Sequence, residues 1–391
     1  MKKLTYRHTL LACYTGTVGM AAITNFVPLL FLTFRELFGF TLEEIGLLVS
    51  ANFITQLTVD AFSIRWADRI GYRKMVVIGQ VTMGGGLVML TVLPFVLPNP
   101  YLGALLSVIT YAVGGGINEV LISPILEACP RDEKGASLSL LHSGYCWASV
   151  VVILLSTLLF AAFGMESWRV ISCVWALIPL ANTFLFLHVP IAPLVTEDKR
   201  MSVLQLVRQP AFLLFMLMMF CAGAAELAMV QWASAFAESG LKVTKAVGDL
   251  AGPCLFMLMM GTGRVLQYKK GEKGDLKKYL LLCAVLCTAS YLIASLSPTP
   301  LMSLFGFALC GFGVSAMWPG TLSLAQKTCP LGGTAMFAIL ALCGDIGCSV
   351  GPALVGFVSG ALGDNLHMGI LAAVVFPAVM MLGLILHRKK A

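Results

Sequence analysis

Four carboxylic acids lie inside long apolar stretches of this sequence, and they are its best candidates for chemistry: Asp60, Glu119, Glu226 and Asp345. A charge at the centre of a bilayer costs about 2.5–3.5 kcal/mol on insertion scales, so such a residue must face a polar cavity, be paired or be neutral. We expect a proton to neutralise Glu119, and we assign proton coupling to it first, with Asp345 and Asp60 as the other candidates. The alternative for Glu119 is a permanently protonated acid that is hydrogen-bonded to a neighbouring helix.

Polar and aromatic side chains near these acids could bind a small solute. Asn52, Gln56 and Asp60 recur every four residues and therefore share one helix face. A polar stripe facing lipid is unfavourable, so this face should line a cavity or bond to another helix. Tryptophan beside carboxylates suits a solute with an apolar face and hydroxyl or amino groups, although packing is the alternative for Trp232. The expected substrate-binding residues are Asn25, Asn52, Gln56, Ser123, His142, Glu226, Gln231, Trp232 and Trp318.

The composition shows what must position these residues. Hydrophobic residues make up 59% of the chain and charged residues only 12%, about half the usual charged fraction of a soluble domain. This excludes a water-soluble protein and predicts membrane helices of roughly 20 apolar residues or more. We predict twelve helices and an all-α membrane fold. Their expected ranges are 9–37, 43–67, 74–97, 101–128, 135–163, 168–189, 209–238, 244–267, 276–297, 301–327, 333–361 and 367–387.

The distribution of lysine and arginine predicts the orientation. With both termini in the cytoplasm, 22 of the 26 basic residues fall on the cytoplasmic side, so we expect a multi-pass protein of a bacterial inner membrane with cytoplasmic termini. The net charge of +7 then reflects topology and not nucleic-acid binding. The 12 cysteines form no CxxC motif, and no GxxxxGK[ST] loop is present. We therefore expect no metal, no cofactor and no enzymatic activity.

An internal repeat divides the chain into two similar halves. Pro98-Asn99-Pro100 and Pro298-Thr299-Pro300 are 200 residues apart, as are Cys129-Pro130 and Cys329-Pro330. We expect two pseudo-symmetric six-helix bundles, at 1–189 and 209–391, joined by a cytoplasmic connector at 190–208. Two parallel halves with a site near the membrane midplane are typical of secondary transporters.

The loop after the second helix carries a recognisable motif. It reads Ala67-Asp68-Arg69-Ile70-Gly71-Tyr72-Arg73-Lys74 and resembles the D-R-x-G-R-R/K signature of the major facilitator superfamily. The resemblance implies a twelve-helix transporter with alternating access, in which Asp68, Arg69, Gly71 and Arg73 act in gating. Glycine permits a tight turn here, and the aspartate could pair with Arg73.

Shorter motifs resemble the L-fucose permease-like family of sugar–proton symporters. Residues 115–124, GGINEVLISP, are similar to the family's G-x-x-x-E-x-x-x-N-P, with Ser123 in place of Asn, and residues 318–325 resemble its helix 10. One departure is that Phe26 follows Asn25, where the family has an acid. The resemblance implies proton symport of a sugar or sugar-like solute by a monomer whose partners are its substrate, protons and lipid. The alternative is a proton-coupled drug or organic-cation efflux antiporter.

Overall fold

The computed structural model describes residues 4–129, 134–192, 203–270, 275–329 and 333–386. Within these ranges, the side chains at 63–68, 127–128, 134–143, 203, 267–270, 333–335 and 337–338 are left aside. The described chain is helical, and it contains no strand. The hydrophobic runs therefore form the elements that their length and composition predict.

Twelve long helices carry the described chain. Their bounds are α1 Tyr6–Phe38, α2 Leu42–Ile70, α3 Tyr72–Leu90, α4 Pro100–Ala128, α5 Lys134–Phe163, α6 Trp168–His188, α7 Pro210–Val230, α8 Lys245–Leu266, α9 Leu276–Leu296, α10 Pro300–Thr328, α11 Gly333–Ala361 and α12 Leu366–Leu386. Eleven contain segments long and apolar enough to cross a membrane. The exception, α3, carries Arg73 and Lys74 in its first turn but still has 19 residues, or about 28 Å. The predicted all-α membrane fold is confirmed.

Several of these helices depart from a regular α-helix, and three of the departures involve a 3-10 or π-helical turn. Pro28 lacks a backbone N–H, and α1 passes through a 3-10 turn at Val27–Leu30. The predicted seventh helix ends early, at Val230, and a π-helical turn follows at Phe236–Gly240. A second π-helical turn, at Leu250–Cys254, interrupts α8 and contains Pro253. Such turns are common at functional sites.

The repeat appears in the positions of two helix starts. Pro100 and Pro300 each occupy the first position of a helix, where a missing N–H costs nothing. Asn99 caps α4 by accepting hydrogen bonds from the N–H groups of Tyr101 and Leu102. Cys129 and Cys329 follow the last residues of α4 and α10. The two halves therefore use the same start and stop positions, as the sequence repeat predicts.

The chain forms two compact units. Unit 1 contains Met1–Phe40 and Ala51–Glu197, and unit 2 contains Thr41–Ser50 and Asp198–Ala391. The first turns of α2 are thus part of unit 2, where the Ser50 hydroxyl donates to the Ser349 carbonyl oxygen at 2.9 Å.

The core of unit 1 lies where α1, α3, α4 and α6 meet. Buried apolar side chains from these four helices pack together there: Ala12, Cys13, Met75, Val76, Ile117, Leu121, Ile122, Ile125, Leu126 and Phe186. The Arg73 guanidinium closes one end of this core by donating to the carbonyl oxygens of Phe186, Leu187 and Val189 at 2.7–2.9 Å. These carbonyls lie at or just beyond the C-terminus of α6, where a cation also complements the helix dipole.

Unit 2 is built around a close crossing of α7 and α11. A Cβ atom added to Gly347 or Gly351 would collide with the carbonyl oxygens of Phe220 and Ala224, so only glycine permits this approach. On the other side of α7, the buried Tyr291 hydroxyl of α9 donates to the Ala225 carbonyl oxygen at 2.6 Å. The α7 backbone is therefore held firmly between its neighbours.

Candidate functional site

Two of the predicted acids come together in unit 1. Asp60 of α2 lies against α4 at Gly116, where an added Cβ would be 3.1 Å from Asp60 Oδ1. Glu119, one helical turn along α4 from Gly116, is close enough to Asp60 to interact with it electrostatically. The two carboxyl groups therefore form one site, which we call the carboxyl pair. The sequence predicts both residues but not that they lie together. The adjacent Gly115 and Gly116, which let α2 approach α4 closely, are the sequence feature that could have indicated it.

The two acids of the carboxyl pair differ in exposure. Asp60 Oδ1 is buried and has no hydrogen-bond partner. Glu119 is exposed, although its neighbours Ile117 and Asn118 are buried. In a bilayer, an exposed carboxyl at this position must meet water or carry a proton.

The polar stripe of α2 continues along the same face as Asp60. The Gln56 side-chain amide donates to Asn52 Oδ1 at 3.0 Å, and both side chains are buried. Gln56 also lies against Gly115 of α4, beside the carboxyl pair. The i, i+4 spacing thus has the predicted consequence that these polar groups share a face.

The other predicted residues of unit 1 have separate surroundings. Asn25 is buried, and its amide donates to the Ala21 carbonyl and to the Ser149 hydroxyl of α5, both at 3.0 Å. Ser123 is half-buried on α4, one turn beyond Glu119. His142 lies on α5, but its side chain is outside the described residues.

The gating motif is described only in part. Gly71 has a φ of +94°, which suits glycine at the start of α3. Arg73 binds the end of α6, a partner that the sequence did not indicate. Arg69 is exposed at the end of α2, and the side chain of Asp68 lies outside the described residues.

Sequence reasoning missed a buried amide network in unit 1. Gln80 donates to Asn118 Oδ1 at 2.7 Å, and Asn182 donates to Gln80 Oε1 at 3.2 Å. The outer amides also donate to α1, Asn118 to the Gly16 carbonyl and Asn182 to the Ala12 carbonyl. The amide network joins α1, α3, α4 and α6. Its member Asn118 directly precedes Glu119 in the sequence. It fixes the rotation of α4 about its axis.

In unit 2 a predicted acid has a partner of opposite charge. Arg264 Nη2 of α8 lies 3.8 Å from Glu226 Oε2 of α7. The Arg264 and Glu226 side chains are 19% and 13% exposed, so the ion pair is largely buried. The sequence predicts Glu226 as a substrate-binding residue but does not predict Arg264 as its partner, because the two residues are on different helices and no periodic pattern relates them.

The remaining predicted residues of unit 2 lie near the crossing of α7 and α11. Asp345 is largely buried between Gly344 and Gly347, and the half-buried Trp318 ring of α10 lies against Gly344. Gln231 is buried just after α7. Trp232 is fully buried, and its indole N–H donates to the Pro352 carbonyl oxygen at 3.0 Å. This contact anchors Trp232 to α11, which favours the packing alternative for its role.

A second charged cluster in unit 2 is built around Lys245. Lys245 donates to the fully buried Asp249 at 3.0 Å, and the Ser234 hydroxyl donates to the same carboxylate. Glu238 lies 4.0 Å from Lys245. The cluster joins the two segments that contain π-helical turns.

These features define a class of protein. Twelve long helices in a repeated architecture, eleven of them apolar enough to cross a membrane and with ionisable groups inside the spans, are typical of a polytopic membrane transporter. The chain belongs to the Major Facilitator Superfamily, whose family model matches residues 12–352. The sequence resemblance to that superfamily is thereby confirmed.

Relatives of known sequence or structure extend along nearly the whole chain. Membrane protein MosC of Rhizobium meliloti is 22% identical over 364 residues, which cover 93% of this chain and 85% of MosC. The nucleoside transporter NupG superposes with a TM-score of 0.78 at 14% identity, covering 97% of this chain and 98% of NupG. The E. coli fucose:proton symporter FucP gives 0.65 at 17% identity, with 97% and 98% covered. These structural likenesses show the shared fold.

Proposed function

We propose that this transporter couples the entry of protons to the uptake of a small polar organic solute, most readily a sugar or sugar-like compound. The observation that carries the proposal is the carboxyl pair, because two acids close enough to interact electrostatically inside a membrane unit resist simultaneous ionisation. Asp60 Oδ1, buried without a hydrogen-bond partner, adds to this cost. A proton shared by the pair removes the excess charge.

The transport cycle follows from that chemistry. Glu119 is protonated from the outside, solute binds, and the loaded carrier reorients so that the proton and the solute leave to the cytoplasm. A membrane potential contributes roughly 2.3 kcal/mol per charge per 100 mV, which supports substantial accumulation with one proton. The polar side chains of Asn52 and Gln56 beside the pair suit a hydroxylated solute.

The proposal also includes the membrane topology and the division of the chain into two bundles. The basic-residue distribution favours an inner-membrane protein with both termini in the cytoplasm, and the repeat favours a six-helix division at 1–189 and 209–391. The FucP structure is that of a fucose:proton symporter, and another structure of this fold is a D-xylose-proton symporter. Those names make sugars the first solutes to test.

Organic-cation efflux is the competing function, and the Arg264–Glu226 pair argues against it. A cationic solute at Glu226 would have to displace or approach Arg264, and like charges repel strongly in a medium of low dielectric constant. Symport and antiport also differ in the direction of proton movement: symport of an added solute carries protons into a vesicle along with it.

The decisive experiment uses proteoliposomes with an imposed inward proton gradient and a panel of sugars, nucleosides and amines. Glu119→Gln should abolish uphill accumulation, at least a tenfold loss, while solute exchange without a gradient continues, because an amide cannot release a proton. Glu36→Gln, which alters an exposed acid at the end of α1, is the matched control. Uphill transport by Glu119→Gln at the wild-type level would overturn the proposal.

A further inference from the structure

His367 lies between two backbone carbonyl groups in unit 2. Its Nδ1 is 3.1 Å from the Ser295 carbonyl oxygen, and its Nε2 is 3.2 Å from the Gly240 carbonyl oxygen. The imidazole ring also contacts the Phe236 ring at a T-shaped angle of 64°, with the ring centroids 4.7 Å apart. His367 is half-buried and is the second residue of α12, just after the exposed residues 361–365. It therefore lies at the end of a membrane span and not in the middle of one.

Only the protonated form of the ring satisfies both contacts. A carbonyl oxygen accepts hydrogen bonds and cannot donate one. A neutral imidazole has a single N–H group, so its other nitrogen would direct a lone pair at a carbonyl oxygen. The imidazolium form has two N–H groups and donates to both carbonyls, and bonds from a charged donor are stronger than neutral ones. The hydrogen bonding around His367 is therefore complete only when the ring carries the extra proton.

Both carbonyl oxygens are suited to a positively charged donor. Ser295 is the second-last residue of α9, and the last four carbonyl groups of an α-helix have no N–H partner within the helix. The helix dipole also favours a cation at that end of α9. Gly240 is the last residue of the π-helical turn that follows α7. His367 lies near the N-terminus of its own helix, where the dipole disfavours a cation, so the two carbonyl groups work against that effect.

The hydrogen-bond acceptors at the ring are carbonyl groups and not carboxylates. The π-helical turn contains Glu238, which lies 4.0 Å from Lys245. On α9, the Tyr291 hydroxyl donates to a carbonyl oxygen of α7. Two further charged side chains beside these segments, Lys242 and Asp364, are exposed. Among these types of side chain, histidine is the one that changes charge between about pH 5 and 8.

The ring connects three segments that are far apart in the sequence: the π-helical turn after α7, the end of α9 and the start of α12. The turn also has contacts that need no proton. Phe236 is fully buried and packs against Phe307 of α10, with ring centroids 5.2 Å apart. The N–H groups of Leu241 and Val243 donate to carbonyl oxygens of the turn at 3.1 and 3.3 Å. Loss of the proton on His367 therefore weakens the attachment of the turn but leaves its packing in place.

We propose that His367, with the carbonyl groups of Gly240 and Ser295, is a pH-operated latch in unit 2. When protonated, His367 bonds α12 both to the π-helical turn and to α9; when neutral, it keeps only one of those bonds. In the topology proposed above, this end of unit 2 faces the outside, so an acidic exterior closes the latch. The protons that drive uptake in the proposed function thus also set the rigidity of this turn. The latch lies in a different unit from the carboxyl pair and does not depend on it.

The first test measures amide hydrogen exchange at Leu241 and Val243 by mass spectrometry in nanodiscs, with correction for the pH dependence of the intrinsic exchange rate. In the wild type, protection of these amides should be about tenfold greater at about pH 5 than at about pH 8, the effect of one charge-assisted hydrogen bond. His367→Gln is neutral at both pH values and should lose this difference. The matched control is His188→Gln, which should keep it, because His188 is exposed and bonds within its own helix.

The second test uses the wild-type protein alone. Nitrogen NMR of histidine-labelled protein reports how many ring nitrogens carry protons, and the His367 signals are assigned through the contact with the Phe236 ring. At about pH 5 both nitrogens should carry a proton, and at about pH 8 only one should. A ring that is already neutral at the lower pH, or still doubly protonated at the higher pH, would overturn the inference.

The outcomes separate the latch from the proposed function. Glu119→Gln should lose uphill accumulation but keep the pH-dependent protection of the turn, because its side chain lies in unit 1. Loss of that protection difference in Glu119→Gln, or its persistence in His367→Gln, would overturn the latch. If no solute accumulates under the gradient, the proposed function fails and the latch still stands on the exchange and NMR results.

Discussion

The two units place their ionisable groups in opposite ways. Unit 1 brings together two carboxyl groups, Asp60 and Glu119, whereas unit 2 sets Glu226 beside Arg264. A pair of like groups needs an outside cation and can be neutralised by a proton. A pair of opposite groups is already neutral and changes state only when a charged ligand or a proton enters. The difference teaches that one fold can hold a pair of acids that needs an external cation beside a pair whose charges already balance.

The largest effect should come from replacing the two acids of the carboxyl pair in unit 1. Asp60→Asn and Glu119→Gln should each reduce uphill accumulation at least tenfold. Because both act on one shared proton, the double variant should be no worse than the more impaired single variant. Accumulation assays of the four proteins form a double-mutant cycle. If the losses of accumulation in the two single variants add up in the double variant, the two acids bind separate protons. That result would contradict the contrast between the two units.

A smaller effect is expected where unit 1 depends on polar contacts for its cohesion. Gln80→Leu removes the donor to Asn118 Oδ1 and one of the two acceptors of the Asn182 amide, and an unsatisfied buried group costs about 1–3 kcal/mol. We expect a clear fall in the denaturation midpoint in detergent. Thr58→Val, which alters an exposed hydroxyl that bonds within its own helix, is the control. An unchanged midpoint for Gln80→Leu would show that the amide network does not stabilise unit 1.

The smallest effect is expected in unit 2, at the hydrogen bond between α9 and α7. Tyr291→Phe removes the hydroxyl that donates to the Ala225 carbonyl but retains the ring. Hydrogen bonds between membrane helices average about 0.6 kcal/mol, so the midpoint should change little. The same detergent denaturation measures it. A loss larger than that of Gln80→Leu would reverse the contrast between the units.

The sequence predicts the fold well because hydrophobic runs and prolines act locally. The starts of α4 and α10 follow directly from Pro100 and Pro300. The end of α7 was misplaced, because the π-helical turn at Phe236–Gly240 has no signal in the spacing of apolar residues. Helix existence is thus readable from composition, whereas irregular turns depend on neighbouring helices.

The sequence predicts individual residues of the candidate site but not which of them lie together. Scarcity of charge identifies Glu119 and Glu226 as unusual, and i, i+4 spacing places Asn52 and Gln56 on one face. The pairing of Glu226 with Arg264 depends on how α7 and α8 pack, which no short pattern encodes. Arg73 shows the same limit, since its partner is the distant end of α6 and the motif suggested Asp68.

The amide network of unit 1 also constrains how this sequence can change over time. Gln80, Asn118 and Asn182 share hydrogen bonds, so replacement of one of them by an apolar residue leaves a buried polar group of a neighbour without that partner. Concerted replacement of the whole set by apolar residues of similar shape can be nearly neutral. Descendants of this chain should therefore keep all three amides or lose them together, and intermediate combinations should be rare. Covariation at these positions would mark which lineages inherited this packing.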